Sequence, residues 1–162
     1  MIYFYGGAFN PMTISHLKII KYIINLLKDD DKLIIGITSH DYKIYEFDYE
    51  TRKRIVEENI KEFFNKIEII KQDQRTWKFF QTLPYKQITM VIGEDEWNDL
   101  KAGKWHYSND ILNTYNILTI PRTDDVSSSK VRELLKENTN KDELLKYITE
   151  ITYNILKGVE NE

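Results

Sequence analysis

The run Gly6-Gly7-Ala8-Phe9-Asn10-Pro11-Met12-Thr13-Ile14-Ser15-His16 gathers two glycines, two hydroxyls and an imidazole in eleven residues. It follows the apolar stretch Ile2 to Tyr5 and precedes Leu17, Ile20, Ile24 and Leu27, which recur at helical spacing. The run therefore joins a strand end to a helix start, where unpaired N–H groups and the positive end of the helix dipole attract an anion. Paired glycines permit a tight turn and close backbone approach to a ligand. Thr13, Ser15 and His16 then offer hydroxyls and an imidazole to phosphate oxygens. Far along the chain, Val126-Ser127-Ser128-Ser129-Lys130-Val131-Arg132 repeats the theme, with hydroxyls, helix-start N–H groups and one guanidinium suited to a bidentate phosphate contact. In isolation each run also reads as an ordinary helix cap, with Arg132 solvated. Together, at two strand-to-helix junctions, they point to a polyphosphate.

The first run resembles the opening motif G-G-x-F-[DN]-P-x-[HT]-x-G-H of the nucleotidylyltransferase superfamily, and Val126 to Arg132 resembles its second signature, I-S-S-[ST]-x-[IV]-R. The resemblance implies transfer of a nucleotidyl group from ATP to a small phosphorylated acceptor. It assigns His16 to charge developing on the α-phosphate, Thr13 to a phosphate hydrogen bond, and Arg132 with Ser128 and Ser129 to the β and γ phosphates. Gly6, Gly7, Ala8, Phe9, Ser15 and Ser127 complete the nucleotide cradle. Mg²⁺ is expected to bridge the phosphates through water and ATP oxygens, without a protein metal ligand.

Ile92-Gly93-Glu94-Asp95, then Trp105, then Ile120-Pro121-Arg122 resemble the branch that adenylylates nicotinate or nicotinamide mononucleotide. This implies nucleotide contacts from Gly93 and Asp95, a pyridine ring stacked on Trp105, and substrate contacts from Arg122; separately, Lys43 in the segment after the second strand is within reach of a substrate phosphate. Thr76 to Leu83 is a fainter match. Three positions depart from the pattern. Thr13 replaces the usual first His and is similar to phosphopantetheine adenylyltransferases, Ser15 replaces a Gly, and Asn10 stands where Asp is common. Three readings follow: a pyridine mononucleotide adenylyltransferase, a phosphopantetheine adenylyltransferase or cytidylyltransferase, and a non-catalytic nucleotide-binding protein.

The elements that must position these residues alternate. Strands are expected at Ile2 to Tyr5, Leu33 to Ile37, Ile67 to Ile70, Ile88 to Ile92 and Asn116 to Ile120, with helical periods between them, the arrangement of βαβ units. A helix is expected from Tyr49 to Phe64, capped by Asp48 and carrying Glu50/Arg54 and Glu57/Lys61 pairs. A C-terminal helix opens at Asn140, with Leu144, Ile148, Ile151 and Ile155 on one face and Gly158 near its end. The fold class is thus α/β, a Rossmann-like doubly wound parallel sheet of about five strands with a C-terminal helix. ATP is expected at the C-terminal strand ends where the strand order reverses.

With 162 residues, 41% apolar, a single nucleotidyltransferase domain over 1–162 is expected. A net charge of -3 supplies no overall attraction to nucleic acid or an anionic membrane, so the expected partners are small molecules, with a homo-oligomer left open. The lack of cysteine excludes thiolate catalysis and disulfides. No basic leader or long apolar run is present, and the expected location is cytoplasmic.

Overall fold

The computed structural model describes residues 1–158. The chain runs β1 (Ile2–Gly7), α1 (Ile14–Leu26), β2 (Lys32–Thr38), α2 (Tyr49–Ile60), β3 (Ile67–Gln72), α3 (Thr76–Gln81), β4 (Thr89–Gly93), α4 (Glu94–Lys101), α5 (Ser108–Thr114), β5 (Asn116–Ile120), α6 (Ser128–Lys136), α7 (Lys141–Leu144) and α8 (Glu150–Leu156). All five strands are parallel, in the order β3-β2-β1-β4-β5. The order reverses between β1 and β4, which is where a doubly wound sheet opens a crevice at its C-terminal edge.

Alternation along the strands divides the interior. Tyr5, Leu33, Ile35, Ile37 and Val91 face α1 and α2 with Ile20, Ile23, Ile55 and Val56, whereas Phe4, Ile34, Met90 and Ile92 face the other layer with Phe79, Phe80, Leu100 and Ile111. A smaller cluster of Val131, Leu134, Leu144 and Ile148 joins α6 to the C-terminal segment. Among the described residues no helix is long and apolar enough to cross a membrane.

Three expectations are corrected. First, α2 stops at Ile60 and tightens into a 3-10 stretch, Lys61–Lys66, leaving Phe64 exposed. Lys61 accordingly pairs with Glu58 at 3.0 Å rather than with Glu57. Second, the C-terminal segment is two helices. Asn140 caps α7 as expected, accepting from the Glu143 N–H at 2.9 Å, but the Thr149 hydroxyl takes the Thr152 N–H and starts α8 afresh. Leu144 and Ile148 therefore bury against α6, while Ile155 packs on the α1/α2 side and Ile151 is left exposed.

Third, Gly6 and Gly7 are not a turn. They are the last rungs of β1, paired with Gly36 and Ile37. A Cβ on Gly6 would lie 2.8 Å from the Phe4 ring, and one on Gly36 would lie 2.6 Å from it, so these glycines make room for that ring. The turn is made by Phe9, whose φ is 48°.

Candidate active site

Residues 8–13 leave β1, reverse at Phe9 and enter α1. Phe9 is buried, its ring edge-on to Tyr5 at 5.7 Å and against the His16 imidazole at 4.9 Å. Thr13 caps α1, its Oγ1 accepting from the His16 N–H at 3.4 Å, while the Thr13 N–H donates to His16 Nδ1 at 2.9 Å. A capping box normally ends in Glu or Gln; here an imidazole closes it. With Nδ1 accepting, the proton of the neutral ring sits on Nε2. Burial lowers the His16 pKa to about 4, so the ring is neutral at pH 7. Thr13 is itself buried, and its hydroxyl is 3.1 Å from the ring it orients.

The α6 signature holds this loop from the other side. Ser127 caps α6 by accepting from the Lys130 N–H, the Ser128 hydroxyl donates to Pro11 O at 2.7 Å, and Arg132 Nη1 donates to Asn10 O at 2.7 Å. Arg132 Nη2 meets Ser129 Oγ at 3.1 Å. Asn10 has a structural task at the position where Asp is common: its Oδ1 accepts the Phe47 N–H at 3.0 Å. Ser15 also has a partner, donating to Asp124 at 2.5 Å, and Lys18 lies 3.6 Å from the same carboxylate. The Ser15 hydroxyl holds the Asp124 carboxyl below its ordinary pKa.

Thr13, Ser15, His16, Gly93, Asp95, Arg122, Ser127 and Ser128 line one cleft of about 680 Å³ at the switch point. A Cβ on Gly93 would meet no protein atom within 4 Å, so this glycine opens the cleft wall. Asp95 and Arg122 face each other at 3.9 Å across exposed side chains, and Arg122 Nε donates to Asp124 O. Gly6, Gly7, Ala8, Phe9, Ser129 and Arg132 are not on the lining; they shape or brace it.

A second cleft of about 430 Å³ opens beyond β2 and β3. The His40 and Tyr42 rings stack at 5.1 Å, the Arg75 guanidinium lies 5.3 Å over Tyr42, and Arg75 donates to His106 Nε2. Asp73, Gln74, Lys78 and Tyr107 complete the lining, and Tyr107 stacks on Trp77 at 6.2 Å. Trp105 lines neither cleft. Its indole packs on the Phe4/Phe80 core, and its N–H and carbonyl are both tied to the Ser108 hydroxyl. Lys43 is exposed, 6.0 Å over Tyr45. Sequence reasoning missed Asp124, Arg75, His106 and Tyr107. The cues were positional only: His106 and Tyr107 directly follow the tryptophan it singled out, and Asp124 lies two residues beyond Arg122.

A cytidylyltransferase-like family model matches residues 4–134, from the first buried strand through the arginine of α6. The chain belongs to that family. It is 34% identical over 135 residues, 75% of this chain and 67% of the relative, to a protein of Fusobacterium nucleatum named "Probable nicotinate-nucleotide adenylyltransferase". It is 28% identical over 134 residues to the phosphopantetheine adenylyltransferase of Streptococcus agalactiae, covering 81% of each. The fold matches the nicotinic acid mononucleotide adenylyltransferase of Plasmodium falciparum complexed with NaAD, with TM-score 0.72, 20% identity, and 97% and 94% of the two chains covered. These relatives are nucleotidyltransferases, and the matched span of this cytidylyltransferase-like chain includes the starts of both α1 and α6.

Proposed function

We propose that the chain transfers AMP from ATP to nicotinate or nicotinamide mononucleotide, giving the dinucleotide and pyrophosphate. The observation that carries this reading is a neutral His16 with its Nε2 proton free, at a helix start in the switch-point cleft, opposite the serines of α6.

The acceptor phosphate is already an anionic nucleophile. Its oxygen forms a bond to the α-phosphorus as the bond from that phosphorus to pyrophosphate breaks, and no proton need be abstracted. What the protein supplies is position and charge stabilisation. His16 donates from Nε2 to an α-phosphoryl oxygen. The α6 N–H groups, the Ser127 hydroxyl and the Arg132 donors beyond the one that braces the loop and the one on Ser129 take the β and γ oxygens, while Ser128 holds the loop in place. Four carboxylates, Glu94, Asp95, Glu96 and Asp124, share the cleft with Lys18 and Arg122, so a triphosphate needs a counter-cation. Among the described residues no three His, Asp or Glu side chains converge on one point. Mg²⁺ therefore fits as an ion held by phosphate oxygens and water, supplying charge neutralisation. The second cleft suits the acceptor, with aromatic faces from His40, Tyr42 and Tyr107 for a planar ring and Arg75 and Lys78 for its anionic groups.

A second reading, phosphopantetheine as acceptor, is favoured by Thr13 and by the even coverage of the Streptococcus relative. Pyrophosphate release with ATP or CTP against nicotinate mononucleotide, nicotinamide mononucleotide and phosphopantetheine separates the two. The expected result is release with ATP and a pyridine mononucleotide, at least about ten-fold faster than with phosphopantetheine. Release with phosphopantetheine alone moves the assignment to the second reading. No release with any acceptor, despite ATP binding, leaves a nucleotide-binding protein.

A further inference from the structure

Arg52 is 1% exposed, among the most deeply buried large side chains in the molecule, and its partners are not carboxylates. Its Nε donates to Phe47 O at 3.0 Å, and its Nη1 donates to Ala8 O at 2.9 Å and to Thr38 O at 2.7 Å. Those carbonyls belong to three separate segments: the loop that leads into α1 and His16, the end of β2, and the segment 39–48 that walls the second cleft. The guanidinium lies 4.1 Å over the Tyr45 ring, and the Tyr45 hydroxyl accepts the His40 N–H at 3.2 Å. His40 in turn stacks on Tyr42. Segment 39–48 is otherwise held by the Phe47 N–H on Asn10 Oδ1, by the Ser39 N–H on Gln72 O at 2.8 Å and by Arg75 over Tyr42, while Tyr42, Lys43 and Ile44 are exposed, Ile44 at 99%.

A buried cation is costly unless its donors are satisfied, and a planar fork satisfies several carbonyls where an ammonium offers one point. We propose that Arg52 is a positioning residue that locks the loop 8–13 to segment 39–48, so that the acceptor cleft and the His16 cleft keep one fixed relation. It acts through Ala8, Phe47 and Tyr45, not on substrate. The proposal rests on the adenylyl-transfer reading only for which ligand fills the second cleft.

The test uses Arg52→Lys in the full chain. Amide hydrogen exchange, ATP binding and steady-state kinetics are read together. The expected result is exchange about ten-fold faster at residues 8–13 and 39–47 with β2 and α1 protection unchanged. Acceptor KM should rise about ten-fold and kcat fall by up to about a hundred-fold, the scale of a displaced reacting group, while the ATP Kd stays within about three-fold. Retained charge without the fork should not rescue. Exchange that quickens across the whole sheet, or acceptor and ATP affinities that weaken in parallel, makes Arg52 a general stability residue and overturns the proposal. Unchanged exchange in both segments overturns it as well. If Arg52→Lys does not fold, Tyr45→Leu, which removes the ring beneath the guanidinium from a half-exposed loop, is read by the same criteria. A wild-type chain that turns over no acceptor defeats the functional reading, and the exchange arm still decides on Arg52.

Discussion

At the scale of single residues, His16 and Trp105 carry the proposed chemistry in opposite ways. His16 is oriented by two neighbours, Thr13 through the capping box that closes on Nδ1 and the Phe9 ring, so its Nε2–H is a preorganised donor. His16→Ala should lower kcat by roughly two to three orders of magnitude with ATP binding retained, the scale of losing one such donor. A folded variant with unchanged kcat removes His16 from the reaction. Trp105 was expected to stack on the acceptor ring, and its core packing reverses the prediction. Trp105 is half-buried, so Trp105→Ala should lower stability by about 1–2 kcal/mol in urea unfolding, a fraction of what a fully emptied aromatic site costs. Tyr107→Ala, by contrast, should weaken the acceptor by about 1–3 kcal/mol with little loss of stability, since Tyr107 lines the second cleft and is 46% exposed. If Trp105→Ala is stable and loses acceptor affinity, the ring stacks there after all. The sequence distinguished the two poorly, because an aromatic residue's type says nothing of which way its Cα–Cβ bond points. A left-handed Tyr107 sets that direction here, and φ cannot be read from one tyrosine.

At the scale of elements, two helix starts and one loop form a single object. Ser128 and Arg132 grip the carbonyls of Pro11 and Asn10, so α6 fixes the loop that orients His16. Arg132→Lys should therefore raise the ATP KM and also lower kcat, each by about ten-fold, since a point charge replaces a fork that braces the loop and, in the proposed transfer, meets phosphate. Steady-state kinetics at varied ATP check this, and an Arg132→Lys enzyme with both constants unchanged makes Arg132 a surface residue. Strand positions and the two helix starts were legible because their signals are local: apolar runs, hydroxyl caps and period. The glycines misled for a reason equally local. Gly6 looked like a turn, but it is demanded by Phe4 two residues earlier and by Gly36 on the neighbouring strand, a contact that exists only once β1 and β2 pair. The break between α7 and α8 was likewise hidden. Thr149 donates to Asn59 on α2, so the partner that favours a new helix start lies ninety residues away in sequence.

At the scale of the whole molecule, the same burial that keeps His16 neutral must make stability depend on pH. Its pKa is 6.5 when unfolded and about 4 when folded. Between those values the unfolded chain binds a proton that the folded chain refuses, so stability falls as pH drops from about 6.5 to about 4 and then levels off. The carboxyls of Asp31, Asp48 and Asp124 are held below their ordinary 3.8, but burial raises that of Glu96 in the same cleft, so the His16 contribution is isolated by comparison with a variant in which the carboxyls titrate alike. His16→Gln keeps an acceptor for the Thr13 N–H in an ordinary capping box and removes the titration. Urea unfolding at pH 7 and pH 4.5 should show the wild type losing up to about 3 kcal/mol more than His16→Gln. The kinetic counterpart is that kcat should be flat from about pH 6 to 8, since the imidazole is already neutral throughout. Parallel stability losses in the two proteins would mean that the ring takes up its proton as readily folded as unfolded. A cleft that admits His16⁺ that easily is too wet to hold the neutral Nε2 donor on which the proposed transfer depends.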